Sequence, residues 1–272
     1  MKKFMAMLLA LVMTLSLAAC GKKVDDTSKD DANVDDTATP EITYAVEAGS
    51  AGEEVALANG FKTVAVGSQA DALMEVSSGT SDAAIIDLLM AGAMVGEGTS
   101  YPDLKVTDQK LNSELYGVGC RKGSDLASFI NSVMGEAYAD GTMQKLANTY
   151  GVQEALLEQS ASGFTASETD SDVKYIQDKG TLIVGITEFA PMDYKSTDDE
   201  WIGFDADMAK LVAEKLGVEV QFVVIDWDMK VNELDSKNID VVWNGMTLTD
   251  GVKAAMECSN AYCENAQVVI TK

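Results

Sequence analysis

The 272-residue sequence contains no histidine, and this absence excludes several kinds of chemistry within the chain. Catalytic triads and Cys-His pairs need an imidazole, and so do metal sites with histidine ligands. Cationic side chains are also scarce, because 20 Lys and Arg stand against 44 Asp and Glu, a formal net charge of −24. Nucleic-acid phosphates are bound through a field of Lys and Arg, so we expect no nucleic-acid partner.

Cysteine and proline are rare, with four and three residues respectively. Four cysteines are too few for a disulfide scaffold, and no paired CxxC supports a metal site, so we expect neither metal nor cofactor. We expect Cys258 to be a buried free thiol, and a Cys258–Cys263 bridge remains an alternative in an exported protein. Hydrophobic residues make up 47% of the chain, enough for the core of one large domain or two lobes.

The N-terminus has the pattern of an export signal. A cationic start is followed by an apolar run from Phe4 to Ala19, which predicts a signal peptide over residues 1–19. The sequence LAAC followed by Gly21 resembles a bacterial lipobox, which implies cleavage before Cys20 and lipidation of its thiol. An ordinary signal peptide with an incidental cysteine is the alternative.

Residues 20–41 are then predicted to be the lipidated cysteine and a flexible acidic tether, because they carry almost no large apolar side chain. Membrane attachment would be through the lipid and not through a spanning helix. We therefore expect the protein at the extracytoplasmic face of a bacterial cell membrane.

Beyond the tether, short apolar strands alternate with helices. This pattern predicts an α/β fold in which sheets are flanked by helices. Residues 158–172 are polar and without periodicity, which predicts a linker. The predicted strands are 42–46, 62–66, 83–86, 104–106, 115–120, 182–186, 220–224, 240–243 and 268–270, and the predicted helices are 51–59, 68–76, 88–94, 125–139, 142–150, 173–179, 205–216 and 229–234.

Several motifs of the second half occur together in one order and spacing. They are GTLIVG (180–185), PMDY (191–194), GFDADM (203–208), LGVEVQF (216–222), IDVVWNGMTLT (239–249) and SNAY (259–262). With these motifs, residues 173–272 resemble the first lobe of the family 3 extracellular solute-binding proteins of amino-acid ABC importers. The resemblance implies a two-lobed periplasmic-binding-protein-like fold of type II.

The lobes occur in the reverse of the family's order. Residues 42–114 resemble the second lobe through VEAGS (46–50) and SGTSDAAIID (78–87), and residues 115–157 resemble the return to the first lobe. We interpret this order as a circular permutation in which 158–172 joins the family's old C- and N-termini. One chain crossing between the lobes, near residues 112–115, is then expected. A fusion of two half-domains is the alternative.

The resemblance implies a ligand site built from both lobes. Ser50 would donate to a ligand carboxylate, and Asp87 would pair with a ligand ammonium group. Asn244, Gly245 and Thr247 would supply a carbonyl to the ammonium group and a hydroxyl and N–H to the carboxylate. The alternatives are helix capping for Ser50 and Asp87, and turn formation for the other three.

Aromatic residues and one missing cation complete this expected site. Phe189 would pack over the ligand, and Trp227 would form another wall, with a core position as the alternative for both. Val252 stands where the family usually has a carboxylate-binding arginine, and Lys253 beside it is a candidate replacement. The acidic side chains Glu47, Asp87 and Glu188 favour a cationic or amine-rich ligand.

We therefore expect a lipid-anchored solute-binding protein, not an enzyme, whose two lobes close on an amino acid or a related small polar amine. The closed form would dock onto the permease subunits of an ABC importer. One alternative is a sensory or adhesion protein on the same fold. Another is a dehydratase acting on small carboxylates, for which Glu188 or Asp87 would be the acid or base.

Overall fold

The computed structural model describes residues 41–272. The predictions for the signal peptide, Cys20 and nearly all of the tether concern residues 1–40 and lie outside the described residues. Over the described range, no helix has both the length and the apolar character needed to cross a membrane.

From Thr43 to Lys110, strands and helices alternate as predicted. Ser50 and Ser68 begin the first two helices, and each side chain accepts a hydrogen bond from the N–H three residues later, which satisfies a free donor of the first turn. The elements are β1 (Thr43–Glu47), α1 (Ala51–Ala58), β2 (Lys62–Val66), α2 (Gln69–Ser78), β3 (Ala83–Asp87), α3 (Leu88–Met94) and β4 (Lys105–Lys110).

The next segment contains two short strands and two helices: β5 (Glu114–Tyr116), β6 (Gly119–Cys120), α4 (Leu126–Ala139) and α5 (Thr142–Tyr150). The predicted linker follows and forms no helix or strand before Asp172. It is docked along α4, where Phe164 packs edge-on against Phe129 at 5.1 Å. Its backbone also runs so close to Gly135 that an added Cβ would lie 2.6 Å from the carbonyl oxygen of Ser160.

The last segment holds the remaining elements. Five of them were not predicted: the hairpin β8–β9, the helix α9 and the strands β12 and β13. The elements are α6 (Asp172–Lys179), β7 (Thr181–Ile186), β8 (Tyr194–Lys195), β9 (Trp201–Ile202), α7 (Phe204–Leu216), β10 (Glu219–Val224), α8 (Lys230–Asp235), β11 (Val241–Val242), α9 (Asp250–Ala255), β12 (Glu257–Cys258), β13 (Cys263–Asn265) and β14 (Gln267–Thr271).

Two five-stranded sheets have the same plan. Sheet A has the order β2-β1-β3-β14-β4, and sheet B has the order β10-β7-β11-β6-β12. In each, three parallel strands are followed by an antiparallel strand from a distant part of the chain. Sheet A with α1–α3 is called lobe A below, and sheet B with α4–α9 is called lobe B. The predicted α/β fold with helix-flanked sheets is confirmed.

The chain crosses between the lobes at two adjacent places. β5 leads from lobe A to lobe B, β13 leads back, and the two strands pair antiparallel. The expectation of one crossing is wrong because β14, assigned from the sequence to the lobe of residues 173–272, lies between β3 and β4 in sheet A. Its three buried apolar residues, Val268, Val269 and Ile270, cover the all-buried β3 on that side.

Candidate functional site

A cavity lies between the lobes, where strand ends of both sheets meet, and has an empty volume of about 460 Å³. Clefts at strand ends of α/β sheets commonly bind small molecules. We call it the cleft cavity. Seven of the eight predicted ligand residues line it: Ser50, Asp87, Phe189, Trp227, Asn244, Gly245 and Thr247.

Lys253, the eighth, lies elsewhere. Its side chain lines a neighbouring cavity, whereas Val252 lines the cleft cavity. Successive residues of an α-helix point about 100° apart, so α9 turns the lysine away from the face that carries the valine. Lys253 therefore does not line the cleft cavity, and its suggested replacement of the missing arginine stays a prediction. Glu188 is exposed and does not line the cleft cavity either.

Asp87, at the end of β3, is surrounded by donors from the protein. Its carboxylate accepts hydrogen bonds from the Tyr116 hydroxyl at 2.8 Å and from Gln267 Nε2 at 3.0 Å, and further ones from the amides of Gln69 and Asn265. Burial raises its pKa to about 7, and the nearby Glu114 carboxylate acts in the same direction. Its side chain does not cap α3.

The turn after β11 is held by hydrogen bonds within lobe B. The Asn244 amide makes four of them, three to Thr187 and one to Asp193. The N–H of Gly245 donates to Asp205 at 2.6 Å. These contacts fix the turn where it lines the cleft cavity. The roles in ligand binding implied by the family stay predictions.

Thr247 and Ser50 also have partners within the protein. The Thr247 hydroxyl donates to Glu114 Oε2 at 3.0 Å, which ties the turn to the first crossing strand. Ser50 Oγ accepts from the N–H of Glu53 at 3.1 Å, so the helix-capping alternative is present in the structure. The Glu53 carboxylate in turn accepts from the N–H of Gly49 at 2.7 Å. The start of α1 is thus already covered by an internal anion.

Phe189 and Trp227 are both buried and both line the cleft cavity. Phe189 packs directly on the backbone of Gly245, where an added Cβ would lie 2.4 Å from the ring, and Gly245 has a φ of +55°. The glycine is therefore required both by its conformation and by the close approach of the ring. Trp227 also packs in an apolar cluster of lobe B, so wall and core positions coincide for this residue.

Two charged residues of the cleft cavity, Glu47 and Lys230, have buried surroundings that the sequence did not indicate. Glu47, at the end of β1, is 3% exposed, and its Oε1 meets no hydrogen-bond partner among the described residues. Burial raises its pKa to about 8, helped by the Asp87 charge and opposed by Thr187, Lys230 and Gln69. Glu47 was noted in the sequence only for its charge.

Lys230 was missed, because a lysine within a predicted helix usually lies on its solvated face. Here it is 7% exposed, and burial lowers its pKa. Its Nζ crosses the cleft to the carbonyl oxygen of Gly49 at 2.8 Å, bonds the Trp227 carbonyl at 3.0 Å, and lies 4.9 Å from the centre of the Trp227 ring. The only sequence signal was its place three residues after Trp227.

Cysteines and acidic clusters form no second site in the described part of the chain. Cys120, Cys258 and Cys263 are free thiols, and Cys258 is half-buried instead of buried. Between residues 41 and 272, no group of three or more Cys, Asp or Glu side chains is arranged to hold a metal ion.

Comparisons with known proteins match the second part of the chain. Residues 182–272 match the family of bacterial extracellular solute-binding proteins, family 3. The L-cystine-binding protein TcyJ of Escherichia coli K12 is 35% identical over 88 residues, which are 32% of this chain and 33% of that protein. The arginine-binding extracellular protein ArtP of Bacillus subtilis is 33% identical over 95 residues, 35% of this chain and 37% of that protein.

Among solved structures, an ancestral cationic amino acid solute-binding protein is 38% identical, with a TM-score of 0.30, and the match covers 31% of this chain and 37% of that one. The chain spans about a third of the length of the relatives it matches. The resemblance to an amino-acid solute-binding family is confirmed over residues 182–272, which carry the sequence of the family 3 extracellular solute-binding proteins.

Proposed function

We propose that the protein is an extracytoplasmic solute-binding protein that captures an amino acid or a related small polar amine between its lobes and delivers it to an ABC importer. The main support is the cleft cavity, because lobe A supplies Glu47 and Asp87 to it and lobe B supplies Phe189 and the turn after β11. A ligand that contacts both lobes stabilises the closed arrangement, which is the form that permease subunits would recognise.

The charge of the cleft cavity favours a ligand with positive charge. Three carboxylate residues line it, Glu47, Glu54 and Asp87, against one ammonium group, that of Lys230. The related ArtP is named for arginine, and the ancestral relative for cationic amino acids. We infer that the ligand carries a net positive charge, with more cationic nitrogens than carboxylates.

We further propose that the chain is a circularly permuted version of the family fold, tethered to the membrane by a lipid on Cys20. The permutation is supported by the matching strand orders of the two sheets. It is also supported by sheet A, in which Ala83 of β3 pairs with Tyr44 near the start of β1 and with Thr271 near the end of β14. Mass spectrometry of the wild-type protein and of C20S from membranes tests the lipid.

The function is tested by a thermal-shift screen of the protein without its signal peptide. The panel contains L-arginine, L-lysine, L-ornithine, L-cystine, L-glutamate, putrescine, cadaverine and agmatine. A ligand that binds only the folded state raises the melting temperature by an amount that grows with the logarithm of its concentration over Kd, so at least one positively charged compound should shift it. X-ray scattering should then show a smaller particle with that compound. Binding of L-glutamate alone, or of none of these compounds, contradicts the proposal.

A further inference from the structure

We propose that Lys230 and Glu47 select the ligand of this cleft: Lys230 binds a ligand carboxylate, and Glu47 binds a cationic nitrogen of the same molecule. Because three carboxylate residues line the cleft cavity against one lysine, a second cationic nitrogen is also favoured, and the ligand class is an amino acid with a cationic side chain. The decarboxylated amine of the same length then binds poorly. The inference rests on the proposed function and names the substrate class of the same site.

Lys230 is the one cationic side chain among the described residues that line the cleft cavity. A buried ammonium group needs hydrogen-bond acceptors to offset its lost hydration. It has three N–H donors, and two of them are used by the carbonyls of Gly49 and Trp227. The third N–H is available to a ligand oxygen.

No other group of the cleft cavity suits a ligand carboxylate equally well. Val252 has no donor, and Lys253 lies in the neighbouring cavity. The start of α1 is a natural place for an anion, but the Glu53 carboxylate already accepts a hydrogen bond from the N–H of Gly49 there. The N–H of Glu53 in turn donates to Ser50 Oγ, so the two residues cap the helix from within the protein. A second carboxylate at that helix start would meet the charge of the first.

Glu47 is the residue that would bind the cationic nitrogen of the ligand. Its side chain is 97% removed from solvent, and its Oε1 has no hydrogen-bond partner in the part of the chain that the structure describes. With a pKa of about 8, this buried carboxyl group is largely protonated at neutral pH in the empty cleft. A cationic nitrogen beside it lowers that pKa, so the nitrogen is bound by the ionised group and satisfies an oxygen that is costly to leave unpaired. Asp87 offers less, because four side-chain amides and hydroxyls already donate to it.

The two residues come from different lobes, Glu47 from β1 of lobe A and Lys230 from α8 of lobe B. A ligand that joins them therefore also joins the lobes. The carboxylate and the cationic nitrogen of one molecule thus serve both selection and closure, and a molecule with only one of the two groups closes the cleft less well.

Isothermal titration calorimetry with two matched ligand pairs tests the inference: L-arginine with agmatine, and L-lysine with cadaverine. The wild type should bind each amino acid at least 10-fold more tightly than its amine. In K230M this preference should vanish through weaker amino-acid binding, and E47Q should weaken all four ligands. K145M, a matched loss of charge at an exposed lysine of α5, should behave as the wild type.

Circular dichroism first establishes that each variant is folded, and K230R and K230Q repeat the test if K230M is not. K230R should keep the preference and K230Q should lose most of it. Equal affinity of the wild type for amino acid and amine overturns the inference, as does an unchanged preference in K230M or K230Q, while amine binding as such leaves the proposed function intact. If none of the four ligands binds to the wild type, the proposed positively charged ligand is refuted, and the inference with it.

Discussion

The Asp205 carboxylate accepts a hydrogen bond of 2.6 Å from the backbone N–H of Gly245 and one of 2.7 Å from the hydroxyl of Tyr262. It joins the first turn of α7 to the turn that lines the cleft cavity. Asp193 holds the neighbouring Asn244 amide at 2.8 Å. Both carboxylates are fully buried, and each has an Oδ1 atom with no partner among the described residues. Two acidic side chains therefore lie directly behind the candidate site.

This carboxylate pair should make stability depend on pH. Burial raises the pKa of Asp205 to about 7, and burial together with the Asp205 charge raises that of Asp193 well above its usual range. A raised pKa in the folded state means that the unfolded chain holds fewer protons. The stabilisation of the folded state by this pair is therefore complete below a pH of about 4 and is lost as the pH rises through about 7.

The variant D205N removes one of the two titrating groups and keeps an oxygen that can accept from Gly245. Its melting temperature should fall less between pH 5 and pH 8 than that of the wild type, measured by differential scanning calorimetry. D178N, which changes an exposed aspartate, should keep the wild-type slope. Equal slopes in the wild type and D205N would contradict the raised pKa of Asp205.

Local patterns were enough to predict most of the secondary structure. Strand β2 and helix α5 have the predicted bounds, because glycines mark the turns beside them, Gly60 and Gly67 at the strand and Gly141 and Gly151 at the helix. The short strands β12 and β13 were missed, since two or three residues carry no periodicity and owe their conformation to pairing with β6 and β5. Pairing with β3 and β4 likewise places β14 in sheet A, although it is distant from both strands along the chain.

The residues that line the candidate site were easier to predict than the hydrogen-bond partners of those residues. The family resemblance predicted that Ser50, Asp87 and Asn244 belong to one ligand site, and all three line the cleft cavity. The motifs did not reveal that Gln69 and Gln267 surround Asp87, since those residues lie 18 and 180 positions away along the chain. Such long-range contacts follow from the topology, which local patterns do not encode.

Gly49 should be required for closure of the cleft. It has a φ of +69°, and an added Cβ would lie 2.6 Å from the Cα of Asp228 in lobe B. G49A should therefore hold the lobes apart and weaken ligand binding at least 10-fold. The matched control is G60A, which has a φ of +70° and nothing within 4 Å of the added Cβ.

Titration calorimetry and X-ray scattering measure these effects. Because backbone strain is the same in the two variants, a loss of affinity in G49A but not in G60A reports on the contact between the lobes. If G49A binds and compacts as the wild type does, the contact with Asp228 is not part of closure.

Arg121 should be a major contributor to the stability of lobe B. Its guanidinium group bonds both oxygens of Asp172 at the start of α6, contacts Asp240 at 3.4 Å, and donates to the carbonyl of Ile239 at 2.9 Å. Removing one partner of a buried ion pair leaves an uncompensated charge, so R121M should lose about 3–5 kcal/mol in urea unfolding.

The exposed pair of Lys215 and Glu136 provides the control for this measurement. Its side chains are about half exposed, so K215M should leave the free energy of unfolding almost unchanged. A loss of under 1 kcal/mol in R121M would mean that water reaches this cluster and screens its charges.

The proposed permutation predicts that the chain order can be restored. Ala83 pairs with Tyr44 on one side and with Thr271 on the other, so the start of β1 and the end of β14 are two strand spacings apart, about 10 Å. Four or five added residues span this distance. A chain that runs from 171 to 272, continues through a Gly-Ser linker of five residues and then runs from 42 to 157 should fold to the same structure.

The restored chain should keep the far-ultraviolet circular dichroism, a melting temperature within a few degrees of the original and the same ligand preference, because every strand pair and both crossings are retained. A chain opened instead at Met134, in the middle of α4, breaks a helix whose residues are largely buried and should be much less stable. If the restored chain does not fold while the original order does, the omitted residues 158–170 are an integral part of lobe B. They are then not merely a linker between the family's former C- and N-termini.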